Sequence, residues 1–170
     1  GGLTFPRYLE RVRPGTVSVV SEIDRGVLAI DERDLGLVTD PAMDVRIEDA
    51  RLGLRSLDTD SRDLVVGDAF GGISVHWHLT TREALTDVQR VVRPGGIYAA
   101  NLIDFAPLSF ARAELATMRT VFEHVAVAAD AATLGREVGS GGNVVAIASD
   151  EPHDLEALRS GFAAQGLAWE

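Results

Sequence analysis

The sequence predicts an α/β protein with an open, mostly parallel sheet, helices on both faces and an antiparallel hairpin at one edge. Three observations predict it. Short apolar runs recur at Val17 to Glu22, Val45 to Asp49, Leu64 to Asp68 and Gly96 to Asn101, and each finishes on a polar or acidic side chain. Such runs are too short for a typical helix and, alternating with helical segments, read as parallel strands covered on both faces. The last two strands are joined by Asp130 to Gly142, a glycine-bearing connection with no crossover helix, which makes them antiparallel neighbours.

Taken in order, Gly1-Gly2 is a glycine turn running through Leu3 into a short helical stretch that reaches Leu9. Pro6 falls in its first turn, where a missing N–H is tolerated. A glycine turn that opens a helix normally follows a strand, and none precedes Gly1. The expectation is therefore one Rossmann-like domain over residues 1–170, N-terminally incomplete and without its first strand. Val17 to Glu22 is the first visible strand. Arg25 to Leu35 reads as a helix with Asp24 as N-cap and Gly36 as stop. Asp44 to Ile47 is a strand closed by Glu48-Asp49, and Ala50 to Leu57 a short helix. The polar break Asp58 to Arg62 precedes the central run, a buried parallel strand that delivers Asp68 to the carboxyl edge of the sheet.

Ala69 to Leu79 reads as a loop rich in chemistry, with two glycines, two histidines and Trp77. Thr80 or Thr81 caps a helix over Arg82 to Val92, striped by Leu85, Val88, Val91 and Val92; Glu83 completes a capping box if Thr80 is the cap. Arg93-Pro94-Gly95-Gly96 is a break. Beyond it come a strand to Ile103, a helix from Leu108 to Thr120, strands at Phe122 to Ala128 and Asn143 to Ser149, and an amphipathic helix from Asp154 to Ala164.

Composition narrows the chemistry. There is no cysteine, which excludes disulfides, thiol nucleophiles and thiolate metal sites. There is no lysine either, since all 16 basic residues are arginine, so a lysine Schiff base and a phosphate-loop lysine are excluded. A formal charge of -10 lacks the positive footprint that nucleic acid requires and suits a small cationic ligand. Apolar runs fall short of a membrane span and no leader opens the chain, so the expected location is cytoplasmic.

Open α/β sheets bind ligands at the carboxyl ends of their strands. Glu22, Asp49 and Asp68 are aimed there by the strand pattern. A strand-end carboxylate accepts from both hydroxyls of a diol, which suits Glu22 to a ribose. Asp68 reads either as an acid–base group or as a turn former that accepts backbone N–H bonds. His76 and His78 flank Trp77 on one face of an extended segment; packing or a bond to a carbonyl outweighs a metal site, and no metal is expected. Gly72-Ile73-Ser74-Val75-His76 lacks the closing glycine and following helix of a hydrolase elbow.

Several of these segments together resemble one family. The glycine turn, the strand ending Glu22-Ile23-Asp24, the strands ending at Asp49 and Asp68, His78-Leu79-Thr80-Thr81-Arg82-Glu83 and Arg93-Pro94-Gly95-Gly96 follow the order found in spermidine synthase-like proteins, the polyamine aminopropyltransferases. These have the class I methyltransferase type of Rossmann fold. The resemblance covers Gly1 to about Ser149. Arg-Pro-Gly-Gly before a strand is common to the methyltransferase superfamily, while Asp68 with His78-Leu79-Thr80 points to the synthase-like branch.

The resemblance implies that Gly1 and Gly2 lie under a nucleoside co-substrate, decarboxylated S-adenosylmethionine or S-adenosylmethionine. It implies that Glu22 takes the ribose hydroxyls and that Asp49, beside Ala50, receives the adenine amino group. Asp68 matches the catalytic acid that orients and deprotonates the attacking amine, with His78 an expected amine-binding residue; Asn101 and Asp104, after the strand that neighbours the central one, either line the amine pocket or end the strand and start the turn. The implied reaction moves an aminopropyl group to a polyamine; the alternatives are a methyltransferase or a non-catalytic nucleoside-binding relic. A homodimer is left open. One departure stands out: the synthases follow the catalytic acid with Ser-Ser/Thr-Asp-Pro, and here Ala69-Phe70-Gly71-Gly72 follows it.

Overall fold

A computed structural model describes residues 2–39, 41–71, 74–135 and 137–164. The chain forms two compact units, one up to Ser56 and the other from Leu57 onward.

The first unit contains α1 (Thr4–Val12), β1 (Ser18–Glu22), α2 (Arg25–Asp34), β2 (Met43–Ile47) and α3 (Ala50–Ser56). β1 and β2 pair in parallel, Ser18 opposite Met43 and Glu22 opposite Ile47, so both strands end at the same edge. The helices that follow start on the side chains expected of them. Asp24 caps α2 by accepting from Gly26 N at 2.7 Å, and Gly36, at φ 61°, turns the chain away after it. Asp49 Oδ1 accepts from Arg51 N at 2.9 Å at the start of α3.

The second unit contains β3 (Arg62–Gly67), β4 (Phe70–Gly71), β5 (Ser74–Val75), a 3₁₀ turn (Trp77–Leu79), α4 (Arg82–Val91), β6 (Val92–Phe105), α5 (Ser109–Met118), β7 (His124–Ala128), α6 (Ala131–Leu134), β8 (Gly141–Ser149) and α7 (Leu155–Ala164). Its main sheet runs β3-β6-β8-β7. β3 is parallel to β6, while β8 is antiparallel to both β6 and β7, so the sheet is mixed and ends in the expected antiparallel edge hairpin. Leu85 and Val91 of α4, Leu102 of β6, Met118 of α5 and Val144 of β8 are fully buried and form the centre of the core. Among the described residues no helix is long and apolar enough to cross a membrane.

Three local expectations change, and one left open is decided. β3 lies at the edge of its sheet, with β6 as its one ladder partner among the described residues, and Val66 is 41% exposed rather than buried. Residues 69–79 are more than a loop: Phe70 pairs with Val75 in the small β4-β5 hairpin, and the 3₁₀ turn follows. Arg93-Pro94-Gly95-Gly96 does not break the chain. β6 begins at Val92 and carries the segment as an irregularity, the register passing from Arg62 opposite Val92 to Leu64 opposite Ile97, with Gly95 at φ 74°. Finally, Thr81 is the cap of α4, accepting from Ala84 N at 3.2 Å; Glu83 is then one residue short of the position a capping box needs. The connection before β8 does contain a helix, α6, capped by Asp130. Its single turn is too short for a crossover, and β7 and β8 are antiparallel for that reason.

Candidate active site

The register of β3 against β6 builds the centre of the second unit. Gly67 stands opposite Ala100, which brings the next residue on each strand, Asp68 and Asn101, side by side at the carboxyl edge. Asn101 Nδ2 donates to Asp68 Oδ1 at 2.9 Å. Asp68 is exposed, and its other oxygen accepts no hydrogen bond among the described residues. One oxygen is therefore fixed and the other is turned loose to a ligand, the arrangement a positioned acid–base group needs.

Behind this pair lies a cavity of about 30 Å³, room for one or two waters, lined by Gly67, Leu79, Thr80, Tyr98, Asn101 and Glu114 among others. Gly67 must be glycine there, because a Cβ would come within 2.6 Å of Tyr98 Oη. Tyr98 is buried, stacked on Phe122 at 6.1 Å between ring centroids. Burial, and secondarily the neighbouring Glu114, pushes its phenol well above the ordinary range.

Glu114 is the residue the sequence did not single out. It lies on α5 and is only 4% exposed, and burial pushes its carboxyl up to about 7. The signal was present in the sequence: Ala111, Glu114 and Met118 form the buried face of α5 at helical spacing, an acid within an apolar stripe. A carboxyl whose affinity for a proton rises on folding stabilises the fold fully below its ordinary value near 4.3, and that contribution is lost as pH rises toward 7. Glu114→Gln, which is neutral throughout, should therefore gain melting temperature over the wild type at pH 8 relative to pH 5. Thermal melts at the two pH values check this; an unchanged difference would mean that the carboxyl is not held in a raised state.

The other expected amine-site residues part company. Asn101 lines the cavity. Asp104 is engaged by the backbone, its two oxygens accepting from Phe105 N at 2.8 Å and Ala111 N at 2.9 Å, so it shapes the entry to α5. His78 sits in the 3₁₀ turn between the rings of His76 and Trp77, at 5.7 and 5.8 Å, and is not among the residues lining the cavity. Among the described residues no three histidine, aspartate or glutamate side chains gather as a metal site would require.

In the first unit, Glu22 ends β1 half-buried. Its Oε1 accepts from Asp24 N at 2.9 Å, which fixes the carboxylate, and Oε2 accepts no bond among the described residues. That geometry fits a diol. Asp49 is half-buried at the start of α3, where capping engages Oδ1 and Ala50 is the first helical residue. Gly2, at φ 73°, donates its amide to Asp31 Oδ1 at 2.8 Å; Gly1 lies outside the described residues.

No protein-family model matches the chain. The polyamine aminopropyltransferase of Vibrio vulnificus is 31% identical over 124 residues, which is 72% of this chain and 41% of that protein. A probable spermidine synthase from Corynebacterium glutamicum superposes with a TM-score of 0.82 at 34% identity, covering 90% of this chain and 54% of that one. Human methyltransferase-like protein 13, in complex with SAH, superposes at 0.77 with 19% identity, covering 98% of this chain and 77% of that one. A spermidine synthase in complex with the transition-state analogue AdoDATO gives 0.67 at 17% identity. The chain spans about two fifths of the length of the curated relatives it matches. Its fold is of the Rossmann-like methyltransferase type, and in sequence and fold the chain is spermidine synthase-like.

Proposed function

We propose that this spermidine synthase-like chain contributes the catalytic part of an aminopropyltransferase, which moves an aminopropyl group from decarboxylated S-adenosylmethionine to an amine. The observation that carries the reading is the Asp68–Asn101 pair at the carboxyl edge of β3 and β6, with one oxygen of Asp68 fixed and the other open. The amine lone pair attacks the carbon next to the sulfonium, the C–S bond breaks with its electrons going to sulfur, and methylthioadenosine leaves as a neutral thioether. The new nitrogen carries a proton in excess, and Asp68 would orient the amine and accept that proton. Most of the remaining acceleration is alignment of two bound molecules. Glu22 would hold the ribose and Asp49, beside Ala50, the adenine amino group, with Gly2 following Gly1 in the turn beneath the nucleoside. His78 and Asp104 would act at the margin of the amine site, Asp104 through the position of α5.

The second reading, a methyltransferase using S-adenosylmethionine, is favoured by the near-complete superposition on methyltransferase-like protein 13 and by the absence of an acid between Asp68 and Glu83. The two differ in what the nucleoside carries. S-adenosylmethionine has a carboxylate and its decarboxylated form does not, and a chain with a formal charge of -10 is the poorer host for the former. Competition calorimetry on the complete protein should find methylthioadenosine bound more tightly than S-adenosylhomocysteine. The reverse order would favour the methyltransferase reading.

A further inference from the structure

Of the described residues of α2, Asp31 alone is buried, at 3% exposed, and no step of the transfer uses it. A helix normally buries apolar side chains, and a carboxyl taken out of water is costly unless it is bonded. Asp31 Oδ1 accepts from Gly2 N at 2.8 Å, a buried bond between residues 29 apart in the sequence. The main chain of the same residue is engaged as well. Asp31 O accepts from Leu35 N at 3.1 Å and from Leu37 N at 3.0 Å, which closes α2 around the turn at Gly36. Arg7 Nη1 donates to Leu35 O at 3.2 Å, a second tie between α1 and the end of α2.

What Asp31 holds is a turn that would not keep its shape unaided. Gly2 has φ 73° and Leu3 φ 44°, so two successive residues have left-handed φ, and the second is not a glycine. A left-handed leucine is strained because its Cβ crowds the backbone, and such a residue persists where its surroundings over-determine it. Leu3 is also the N-cap of α1, and its side chain makes no cap bond. The helix therefore starts on backbone geometry alone, with Leu3 O accepting from Arg7 N at 3.1 Å. A glycine turn serves a ligand by letting the backbone approach it closely, so its value depends on where Gly2 and Leu3 stand. A turn that is ordered before the ligand arrives binds more tightly than one that must be ordered on binding.

We infer that Asp31 is a positioning residue for the nucleoside turn: by holding Gly2 N it fixes the left-handed backbone of Gly2 and Leu3 in advance of the ligand. Its effect on the nucleoside runs through the turn, since its own side chain is buried and bonded to Gly2. The inference rests on the reading that places Gly1 and Gly2 beneath the nucleoside.

The test uses the complete protein with Asp31→Ala, which removes the acceptor, and Asp31→Asn, which keeps an amide oxygen that can take its place. Calorimetry with methylthioadenosine reads the affinity, and hydrogen exchange followed by mass spectrometry reads the turn and β1 separately. In Asp31→Ala the affinity should fall about tenfold, the scale of one hydrogen bond, with faster exchange over residues 2–5 and unchanged exchange in β1. Asp31→Asn should bind within about threefold of the wild type, because the bond to Gly2 N is kept. Unchanged affinity in Asp31→Ala overturns the inference, as does an Asp31→Asn that binds as weakly as Asp31→Ala. Faster exchange spread over β1 and β2 overturns it too, because Asp31 would then support the whole unit instead of the turn. A wild type that binds neither methylthioadenosine nor S-adenosylhomocysteine removes the nucleoside reading and the inference with it, so the wild type alone tells the two failures apart.

Discussion

Asp68→Asn in the complete protein should abolish most turnover, by about 10²- to 10⁴-fold, while fold and nucleoside affinity are kept. The amide is nearly isosteric with the acid, and its oxygen can still accept from Asn101 Nδ2, now at 2.9 Å from Asp68 Oδ1. What it cannot do is take a proton or carry the negative charge that orients an ammonium. The loss should therefore fall on kcat more than on the KM of the nucleoside. A structural role predicts the opposite pattern. If Asp68 only supports the turn into β4, the rate stays within a few-fold and the variant loses roughly 1 kcal/mol of stability. A coupled transfer assay and a thermal melt separate the two outcomes.

Glu22→Ala should weaken methylthioadenosine binding by about 1.5 to 3 kcal/mol for each charge-assisted hydrogen bond to the ribose, or about tenfold to 150-fold. The carboxylate is fixed through Oε1 and Asp24 N, so it is ordered before a ligand arrives, and Oε2 has no bond to a described residue that would compete. The same bond is the structural alternative: without it the turn into α2 loosens, and the melting temperature falls instead of the affinity. Calorimetry that shows unchanged affinity would remove Glu22 from the nucleoside site.

Much of this was legible because strand ends are local. An apolar run that stops on an acid identifies both the strand and the residue at its carboxyl edge, which is how Glu22, Asp49 and Asp68 emerged. The same chemistry also misleads, because a carboxylate after a strand is what a helix start uses. Asp49 engages Arg51 N and Asp104 engages Ala111 N, and nothing in their spacing distinguishes a cap from a ligand. The edge position of β3 and the passage of β6 through Arg93-Pro94-Gly95-Gly96 depend on which strands pair, a long-range property that periodicity does not carry. Glu114 needed the tertiary fold as well. Its place on the buried face of α5 shows in the pattern of Ala111 and Met118, but the cavity it faces is made by β3, β6 and the turn at Leu79.

The most direct test of the account is the reaction itself. The complete protein is incubated with decarboxylated S-adenosylmethionine and a panel of diamines and polyamines, and methylthioadenosine is measured beside the aminopropylated product. The account predicts that the two form in equal amounts, only when an amine is present, and that Asp68→Asn makes neither at more than a small fraction of the wild-type rate. Absence of both products with every amine, together with conversion of S-adenosylmethionine to S-adenosylhomocysteine by the same preparation, would contradict it.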